Sequence, residues 1–244
     1  MAEGPFGSEP ASSISVVGVS GIPEIKAGDN VADFVMANFA LMEYDVVVIT
    51  QKIISKAEGR TVQVDMSAPL EPQLEAIIIS ESRRILRRRQ GLFITETHSG
   101  YICANAGIDQ SNMPTGTVGL LPRDPDRSAR RVRDRIRAKA SIEVGVIISD
   151  TFGRTWRRGV SDIALGVAGI AAIVDLRGAL DASGREMTAT QIALADELAS
   201  AAELVKPKAG AVPAVIIRGV DRRFFRESSV ATEIVRPFNE DLFR

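Results

Sequence analysis

The sequence has little of several residue types on which familiar chemistries depend. It contains one cysteine, one histidine and one tryptophan among 244 residues. A single cysteine excludes an internal disulfide, and one histidine is too few for a histidine-based zinc site. A lone thiol is typical of a reducing cytoplasm. Because Cys103 lies in an apolar stretch, we expect it to be packed as a small hydrophobic residue rather than to act as a nucleophile.

Long apolar runs and an excess of one charge are also absent. The most apolar window, Ile163–Val174, is shorter than the roughly 20 residues that span a bilayer. A net charge of −1 gives no general attraction to nucleic acid or to an acidic membrane. The arginine-rich segments 83–89 and 130–137 are interpreted as solvated helix faces, since acidic residues lie nearby. We therefore predict a cytoplasmic protein whose partners include neither nucleic acid nor membrane.

Secondary-structure patterns begin after a tail rich in Gly, Ser, Pro and Glu, residues 1–13, which we predict to be flexible. Strands are predicted at 14–19, 46–50, 144–149 and 212–218, a hairpin at 92–97 and 101–104, and helices at 72–90, 126–140 and 187–205. The segment 163–174 could be a strand or a helix. The hairpin interrupts strict alternation, which favours a mixed-sheet α/β or α+β protein, with 14–244 as one domain.

Two polar segments follow apolar strands. Asn105–Asn112 offers the oxygen ligands of Asp109 and Asn112, although this segment alone is more typical of a surface turn. Ser149–Gly159 carries Asp150 and Thr151, which suit Mg²⁺ or Mn²⁺, and three arginines, which suit phosphate or carboxylate groups. A helix N-cap with solvated arginines is the alternative for the second segment, but the combination favours a functional site.

A third polar segment begins directly after another apolar strand, at Gln51 and Lys52, and continues to Lys56. Lysines at such a position can bind phosphates as point charges, although ordinary surface lysines are commoner. The sequence has neither a Walker A motif nor Gly-x-Gly-x-x-Gly, which disfavours a P-loop or Rossmann nucleotide site.

Four stretches, taken in order, resemble the coenzyme F420:L-glutamate ligase (F420-0:γ-glutamyl ligase) family. They are Gly21-Ile22-Pro23, Ile54–Gly59, Asn105–Asn112 and Asp150-Thr151-x-Gly153-Arg154. The resemblance extends from about residue 14 to the end of the chain and includes 195–197 and 213–219. Because the four matches are ordered and spaced, together they are more specific than any one of them.

The resemblance implies an α/β fold with a mixed sheet, formed by a two-lobed subunit in an intertwined homodimer. It also implies GTP-dependent addition of L-glutamate to coenzyme F420-0, and then of further γ-linked glutamates, through an acyl phosphate at a divalent metal site. Mg²⁺ or Mn²⁺, up to two ions per site, would be the cofactors, with K⁺ as a further candidate. GTP, L-glutamate and F420-0 would be the ligands.

Carried over residue by residue, the resemblance implies that Asp109 and Asp150 bind one divalent metal and that Thr151 contacts a second. Asp150 and Arg154 would be the catalytic residues. The residues that would line the GTP site are Ser20, Gly21, Ile22, Pro23, Gln51, Lys52, Lys56 and Asn112.

One segment departs from the archaeal pattern of the family. Where archaeal members have a glutamate-containing loop before the last strand, this chain has Lys206–Ala211. A charged lysine cannot ligate Mg²⁺, so the expected second metal loses a ligand. The segment resembles the bacterial type, and because the chain ends before a C-terminal FMN-binding domain we predict ligase activity without a flavin step. A non-catalytic GTP- or phosphate-binding module, or a ligase for another carboxylate, remain alternatives.

Overall fold

The computed structural model describes residues 13–111, 113–206 and 210–242. The predicted flexible tail therefore lies outside the described residues except for Ser13, and Asn112 also lies outside them. None of the helices in these ranges is long and apolar enough to cross a membrane.

Strands and helices are interleaved along the chain. The strands are β1 (Ser15–Val19), β2 (Val46–Thr50), β3 (Thr61–Gln63), β4 (Ser82–Arg89), β5 (Leu92–Thr97), β6 (Ile102–Ala104), β7 (Thr117–Gly119), β8 (Gly145–Arg154), β9 (Arg157–Ala168), β10 (Val174–Asp175), β11 (Gln191–Ile192) and β12 (Ala214–Arg218). The α-helices are α1 (Val31–Asn38), α2 (Gln51–Ala57), α3 (Leu70–Ser80), α4 (Pro125–Ala140), α5 (Leu194–Glu203) and α6 (Val230–Glu233).

The central sheet is mixed and has five strands in the order β1-β12-β2-β8-β9. β2 and β8 are parallel, and the other neighbours are antiparallel. This confirms the predicted mixed-sheet α/β class. The parallel pair ends at Thr50 and Ser149, so the polar segments that follow these two residues begin side by side at one edge.

Both faces of the central sheet are covered. Along β2, Val46 and Val48 pack into one apolar cluster with α5, whereas Val47 and Ile49 pack into a second cluster with α1 and α4. A strand buried on both faces is expected to read as a continuous apolar run, which is why 46–50 was recognisable in the sequence. The result is a helix–sheet–helix arrangement around an apolar centre.

Helix α4 forms where local sequence rules favour it. Asp124 caps its first turn by accepting a hydrogen bond from the Arg127 N–H, and Pro125 occupies the first helical position. Ser141, in the left-handed conformation, ends the helix. The prediction of a helix at 126–140 is therefore confirmed.

A smaller α/β unit packs α3 on the antiparallel sheet β4-β5-β6, around Ile78, Phe93 and Ala106. Here the prediction of one helix over 72–90 is wrong, because the helix ends at Ser80 and Ser82–Arg89 forms β4. Arginine and leucine have good helix propensity, but pairing with β5 overrides it, and Arg84 is held by Glu96 of β5. The arginines at 83–89 thus lie on a strand, not on a helix face.

Two other elements have boundaries that differ from the predicted ones, and the structure also resolves one open choice. The strand predicted at 144–149 continues as β8 to Arg154, because pairing with β9 persists after pairing with β2 has ended. The open choice at 163–174 is resolved as the second half of β9 and then β10. The helix predicted at 187–205 begins only at Leu194, since 191–192 pair with β10.

Candidate active site

The larger of two prominent cavities, of about 920 Å³, lies at the edge where β2 and β8 end. Its walls come from segments that are far apart in the sequence. These are residues 22–25, 50–56, 103–111, 150–153, 162, 203–206 and 210–213. Cys103 forms part of a wall but is buried, and burial raises the pKa of its thiol to about 12, so it is not poised as a nucleophile. The prediction that Cys103 is a packed residue is confirmed.

Asp109 is positioned by a tight turn. Gly107 has a φ of 68°, and a Cβ at this position would meet the Leu121 side chain at 2.6 Å, so both the backbone and the space require glycine. Beyond the turn, the Asp109 backbone exchanges hydrogen bonds with Gly119, which fixes the direction in which its carboxylate leaves the chain.

The Asp109 carboxylate faces Lys52 from the first turn of α2. The Lys52 Nζ lies 2.7 Å from one carboxylate oxygen and 2.9 Å from the Ser111 Oγ. Burial acts to raise the pKa of Asp109, but the hydrogen bonds from Lys52 and Ser111 outweigh it and lower that pKa. The Asp109 carboxylate is therefore ionised, and the ammonium of Lys52 balances its charge.

Asp150 lies one residue beyond the last pairing of β8 with β2. Burial raises the pKa of Asp150 to about 7; the Thr151 N–H opposes this, the Asp109 and Asp162 carboxylates add to it, and Lys52 opposes it weakly. The Asp109 and Asp162 carboxylates thus repel the ionised form of Asp150 electrostatically. A bound cation would relieve that repulsion.

Asp162, on β9, is almost fully buried and is held by a lysine on the other side of the cavity. Lys206 Nζ forms an ion pair with the Asp162 carboxylate and lies 3.0 Å from Ser149 Oγ. The Thr151 hydroxyl donates to the other carboxylate oxygen at 2.7 Å. Although burial acts to raise the pKa of Asp162, Lys206 and the two hydroxyls lower it.

The donor set suits a hard divalent cation in one position. Asp109 and Asp150 offer carboxylate oxygens, and Mg²⁺ is commonly bound through one or two carboxylates with water and phosphate oxygens completing its shell. Within the described ranges no three carboxylate, histidine or cysteine side chains converge on one point, so the protein would supply only part of that shell. Around Asp162 the ammonium of Lys206 already supplies the positive charge, which disfavours a second metal there.

The structure brings together most, but not all, of the residues predicted for the site. Those that line the cavity are Ile22, Pro23, Lys52, Lys56, Asp109, Asp150 and Thr151. Ser20 and Gly21 precede the lining segment, and Gln51 is buried, with its side chain hydrogen-bonded to Ser55. Asn112 lies outside the described residues.

Arg154 does not line the cavity. It lies near the tip of the β8–β9 hairpin, where its guanidinium donates to the Arg158 carbonyl, so the alternative of a helix N-cap at this segment is wrong. Residues 150–161 of this hairpin extend past the end of β2, and we call them the arm. At the tip of the arm Trp156 is 88% exposed and has a φ of 67°.

No motif in the sequence indicates a role in the site for Asp162 or Glu203. Glu203, at the end of α5, accepts a hydrogen bond from the Asp162 N–H, so the two acids lie together at one wall. The only sequence signal for Asp162 was a charged residue at the border of an apolar stretch, which is also typical of a strand end. The family pattern marks Lys206 as a departure but does not indicate that Asp162 is its partner.

Comparison with known proteins gives matches along nearly the whole chain. The model of the F420-0:Gamma-glutamyl ligase family matches residues 21–219. Coenzyme F420:L-glutamate ligase of Methanothermobacter thermautotrophicus is 39% identical over 249 residues, covering 95% of this chain and 99% of that protein. The protein of the same name from Methanopyrus kandleri is 40% identical over 236 residues, with 91% and 94% covered. That from Methanocaldococcus jannaschii is 36% identical over 245 residues, with 95% and 97% covered.

Proposed function

The chain belongs to the F420-0:gamma-glutamyl ligase family, and we propose that it attaches L-glutamate to coenzyme F420-0 with GTP as cosubstrate. The names of its relatives support the glutamate ligation. The arrangement of charge in the larger cavity supports the use of a triphosphate, because Lys52 and Lys56 share its walls with Asp109 and Asp150. This juxtaposition of cations with a pair of carboxylates is the observation on which the proposal depends.

An amide does not form spontaneously from a carboxylate and an amine in water, so the carboxylate must be activated. In the proposed reaction, a carboxylate oxygen of F420-0 bonds to the γ-phosphorus of GTP while the bond to the β-phosphate oxygen breaks and GDP leaves. The amine of glutamate then bonds to the acyl carbon, inorganic phosphate leaves, and the amine proton passes to solvent. No nucleophilic side chain is needed, which agrees with a buried, protonated Cys103.

The protein's part in this reaction is to gather and neutralise anions. Lys52 and Lys56 would bind phosphate oxygens as point charges, and Lys52 would exchange Asp109 for phosphate when a divalent metal binds the carboxylate. Asp109 and Asp150, with the Thr151 hydroxyl nearby, would hold that metal, which when bound neutralises phosphate charge. Asp162 stays paired with Lys206 throughout, so we propose one metal and one ammonium where two metals were expected.

The test is direct. The protein is incubated with F420-0, L-glutamate, GTP and Mn²⁺, and the products are resolved by mass. Masses increased by successive glutamyl units, with one GDP for each, are expected. GTP binding without product would favour a non-catalytic module, and product only with another carboxylate would favour a related ligase; either result contradicts the proposal.

The Asp150→Asn variant distinguishes a catalytic role of the Asp150 carboxylate from a structural role. Because burial and two like charges disfavour the ionised form of Asp150, its neutral isostere should leave the melting temperature unchanged or higher, while activity falls by about a hundredfold or more. Glu71→Gln, on the exposed side of α3, is the control and should change neither. A large loss of stability in Asp150→Asn would identify Asp150 as structural.

We also propose a homodimer in which the arm contacts the second copy. Trp156 combines nearly full exposure with a backbone conformation that costs a non-glycine residue about 1 kcal/mol, a combination that folding alone does not favour. Because Trp156 is the only tryptophan in the sequence, its fluorescence reports directly on the proposed contact. Light scattering should give twice the chain mass, and dilution should shift tryptophan emission to the red. A monomer at micromolar concentration would refute this.

A further inference from the structure

Glu203 lies in the wall of the candidate active site, but it belongs to neither the proposed metal ligands nor the proposed GTP-binding residues. It is the last residue of α5 and is partly exposed. The Glu203 Oε2 accepts a hydrogen bond from the Asp162 N–H at 3.0 Å. The side chain is therefore anchored to β9, and its carboxylate borders the cavity.

Two side chains on one face of α5 bind the backbone of Asp162. Glu203 accepts from the Asp162 N–H, and Ser200, three residues earlier on α5, donates its hydroxyl to the Asp162 carbonyl at 2.8 Å. Asp162 is the register partner of Thr151, which directly follows Asp150. The Glu203 carboxylate therefore lies on the wall beside the part of β8 that carries Asp150.

The hydrogen bond to the Asp162 N–H does not require a negative charge at Glu203. The amide oxygen of a glutamine would accept the same hydrogen bond. An ionised carboxylate is also disfavoured at the last residue of a helix, because the C-terminal end of the helix carries a partial negative charge. A glutamate at this position, rather than a glutamine, therefore favours a positively charged group in the adjoining cavity.

Among the organic ligands of the proposed reaction, L-glutamate alone carries a positive charge. GTP contributes phosphates and the coenzyme contributes the carboxylate that is activated, and these anions suit Lys52 and Lys56 rather than an acid. The ammonium of an amino acid has three N–H donors, and hydrogen bonds between such a donor and a carboxylate are among the strong ones. The charge of Glu203 thus matches the amino end of L-glutamate.

We propose that Glu203 binds the ammonium group of the incoming L-glutamate and places its nitrogen next to the acyl phosphate. This inference rests on the proposed function, which supplies both the glutamate and the acyl phosphate. One proton leaves the ammonium for solvent before the nitrogen bonds to the acyl carbon, and phosphate then leaves as in the proposed reaction. Glu203 accordingly determines specificity for an amino acid over a dicarboxylate that lacks the amine.

The experiment compares the wild-type protein with Glu203→Gln in steady-state kinetics, with each substrate varied in turn. Glutamine keeps the hydrogen bond to Asp162 and removes only the charge, so the melting temperature should not fall below that of the wild type. The KM for L-glutamate should rise about tenfold to a hundredfold, as expected for loss of one charge-assisted hydrogen bond, while the KM for GTP stays the same. An unchanged KM for L-glutamate would overturn the inference.

Glu197→Gln is the matched control. Glu197 lies on the same helix but is exposed and does not line the cavity, so its replacement should leave the KM values for L-glutamate and GTP unchanged. An equal rise in the KM for L-glutamate in both variants would show a general effect of the charge of α5 and would contradict a specific contact.

Glutarate, which is L-glutamate without its amino group, distinguishes a contact with the ammonium from a general change in the site. As an inhibitor that competes with L-glutamate, it should bind Glu203→Gln at least as tightly as the wild type, because its carboxylates then meet one negative charge fewer. If glutarate is weakened as much as L-glutamate, Glu203 shapes the site without binding the ammonium, and the inference is wrong.

Inorganic cations are the competing occupants. Binding of Mn²⁺, measured by electron paramagnetic resonance of the free ion, should have the same stoichiometry and affinity in Glu203→Gln as in the wild type. Loss of a bound Mn²⁺ would identify Glu203 as a metal ligand and overturn the inference. The rise in KM should also be equal in potassium and in tetramethylammonium salts, and a rise in potassium salts alone would assign Glu203 to a monovalent-cation site instead.

Binding of L-glutamate without turnover distinguishes failure of this inference from failure of the proposed function. Saturation-transfer NMR with GDP and Mg²⁺ present detects bound L-glutamate directly. If the wild type forms no product but binds L-glutamate, and Glu203→Gln alone weakens that binding, the proposed function fails and the inference holds. If the wild type is active and Glu203→Gln leaves both binding and KM unchanged, the inference alone fails. A wild type that neither ligates nor binds L-glutamate overturns both.

Discussion

Replacing Lys206 with methionine tests how the cavity balances its charges. Methionine keeps most of the length and apolar character of lysine but removes the ammonium. In the wild-type protein that ammonium pairs with the Asp162 carboxylate, which is 3% exposed. Among the described residues, the variant leaves a buried carboxylate that accepts hydrogen bonds from the Ser149 and Thr151 hydroxyls alone, at 3.0 Å and 2.7 Å.

The expected loss of stability follows from these contacts. Removing one partner of a buried ion pair costs about 3–5 kcal/mol, and two remaining hydroxyl donors place Lys206→Met at the lower end, near 3 kcal/mol. For a chain of this size, 1 kcal/mol corresponds to about 2–4 °C, so the melting temperature should fall by about 6–12 °C. Asp162→Asn keeps a hydrogen-bond acceptor and removes the charge. In combination with Lys206→Met it should therefore recover at least half of the loss.

The assay is urea unfolding of the two single variants and the double variant at pH 7, followed by far-UV circular dichroism. A coupling free energy of about 2 kcal/mol between the two positions is expected. Additive losses, or a Lys206→Met variant within about 0.5 kcal/mol of the wild type, would refute the reasoning that Lys206 neutralises a buried charge. In that case Asp162 would be free to ligate a second metal, which divalent-ion titration of the same variants would detect.

Three further predictions concern positions away from this pair. Asp126 accepts hydrogen bonds from Val230 and other groups while almost fully buried, so Asp126→Ala should cost about 3–5 kcal/mol in urea unfolding. Hydrogen bonds from Arg135 lower the pKa of Asp33 to about 2 from 3.8. The contribution of Asp33 to the free energy of unfolding is therefore present above pH 3.8 and is lost as the pH falls toward 2. Asp33→Asn should therefore cost about 1 kcal/mol at neutral pH, as for a partly exposed pair, and progressively less below about pH 4. Gly107→Ala should cost about 2 kcal/mol or more by strain and by overlap with Leu121, and should lower ligase activity because the adjoining turn shifts.

The elements that could be predicted are those whose signal is local. The apolar run at 46–50 and the capped helix at 126–140 are encoded within their own residues and are present in the structure. The predicted helix over 72–90 is wrong at 82–89. The arginines and leucine of this segment favour a helix in isolation, whereas the observed strand depends on pairing with β5 and on Glu96. A contact of that kind, between segments with no fixed spacing, has no signature in a single sequence.

In the candidate site, too, residues with a local sequence signal could be predicted and residues that depend on distant partners could not. Asp109 and Asp150 carry recognisable neighbours, so a pattern could identify them, and the structure brings both to one cavity. Asp162 could not be identified, because what makes it part of the site is its partner Lys206, 44 residues later, and the hydroxyls at the end of β8. Arg154 lies outside the cavity, since a basic residue four positions after a candidate ligand is carried away from it once the strand continues, and its catalytic role stays a prediction.

The pairing of charges in the active-site cavity bears on how one small protein would handle several anions at once. In the active-site cavity each described lysine is paired with an acidic residue, Lys52 with Asp109, Lys56 with Glu24 and Lys206 with Asp162, so the protein alone holds little excess positive charge there. In the proposed reaction, phosphates that enter with a divalent cation would be neutralised by that cation and by Lys52, rather than by a strongly basic surface that would retain the released GDP.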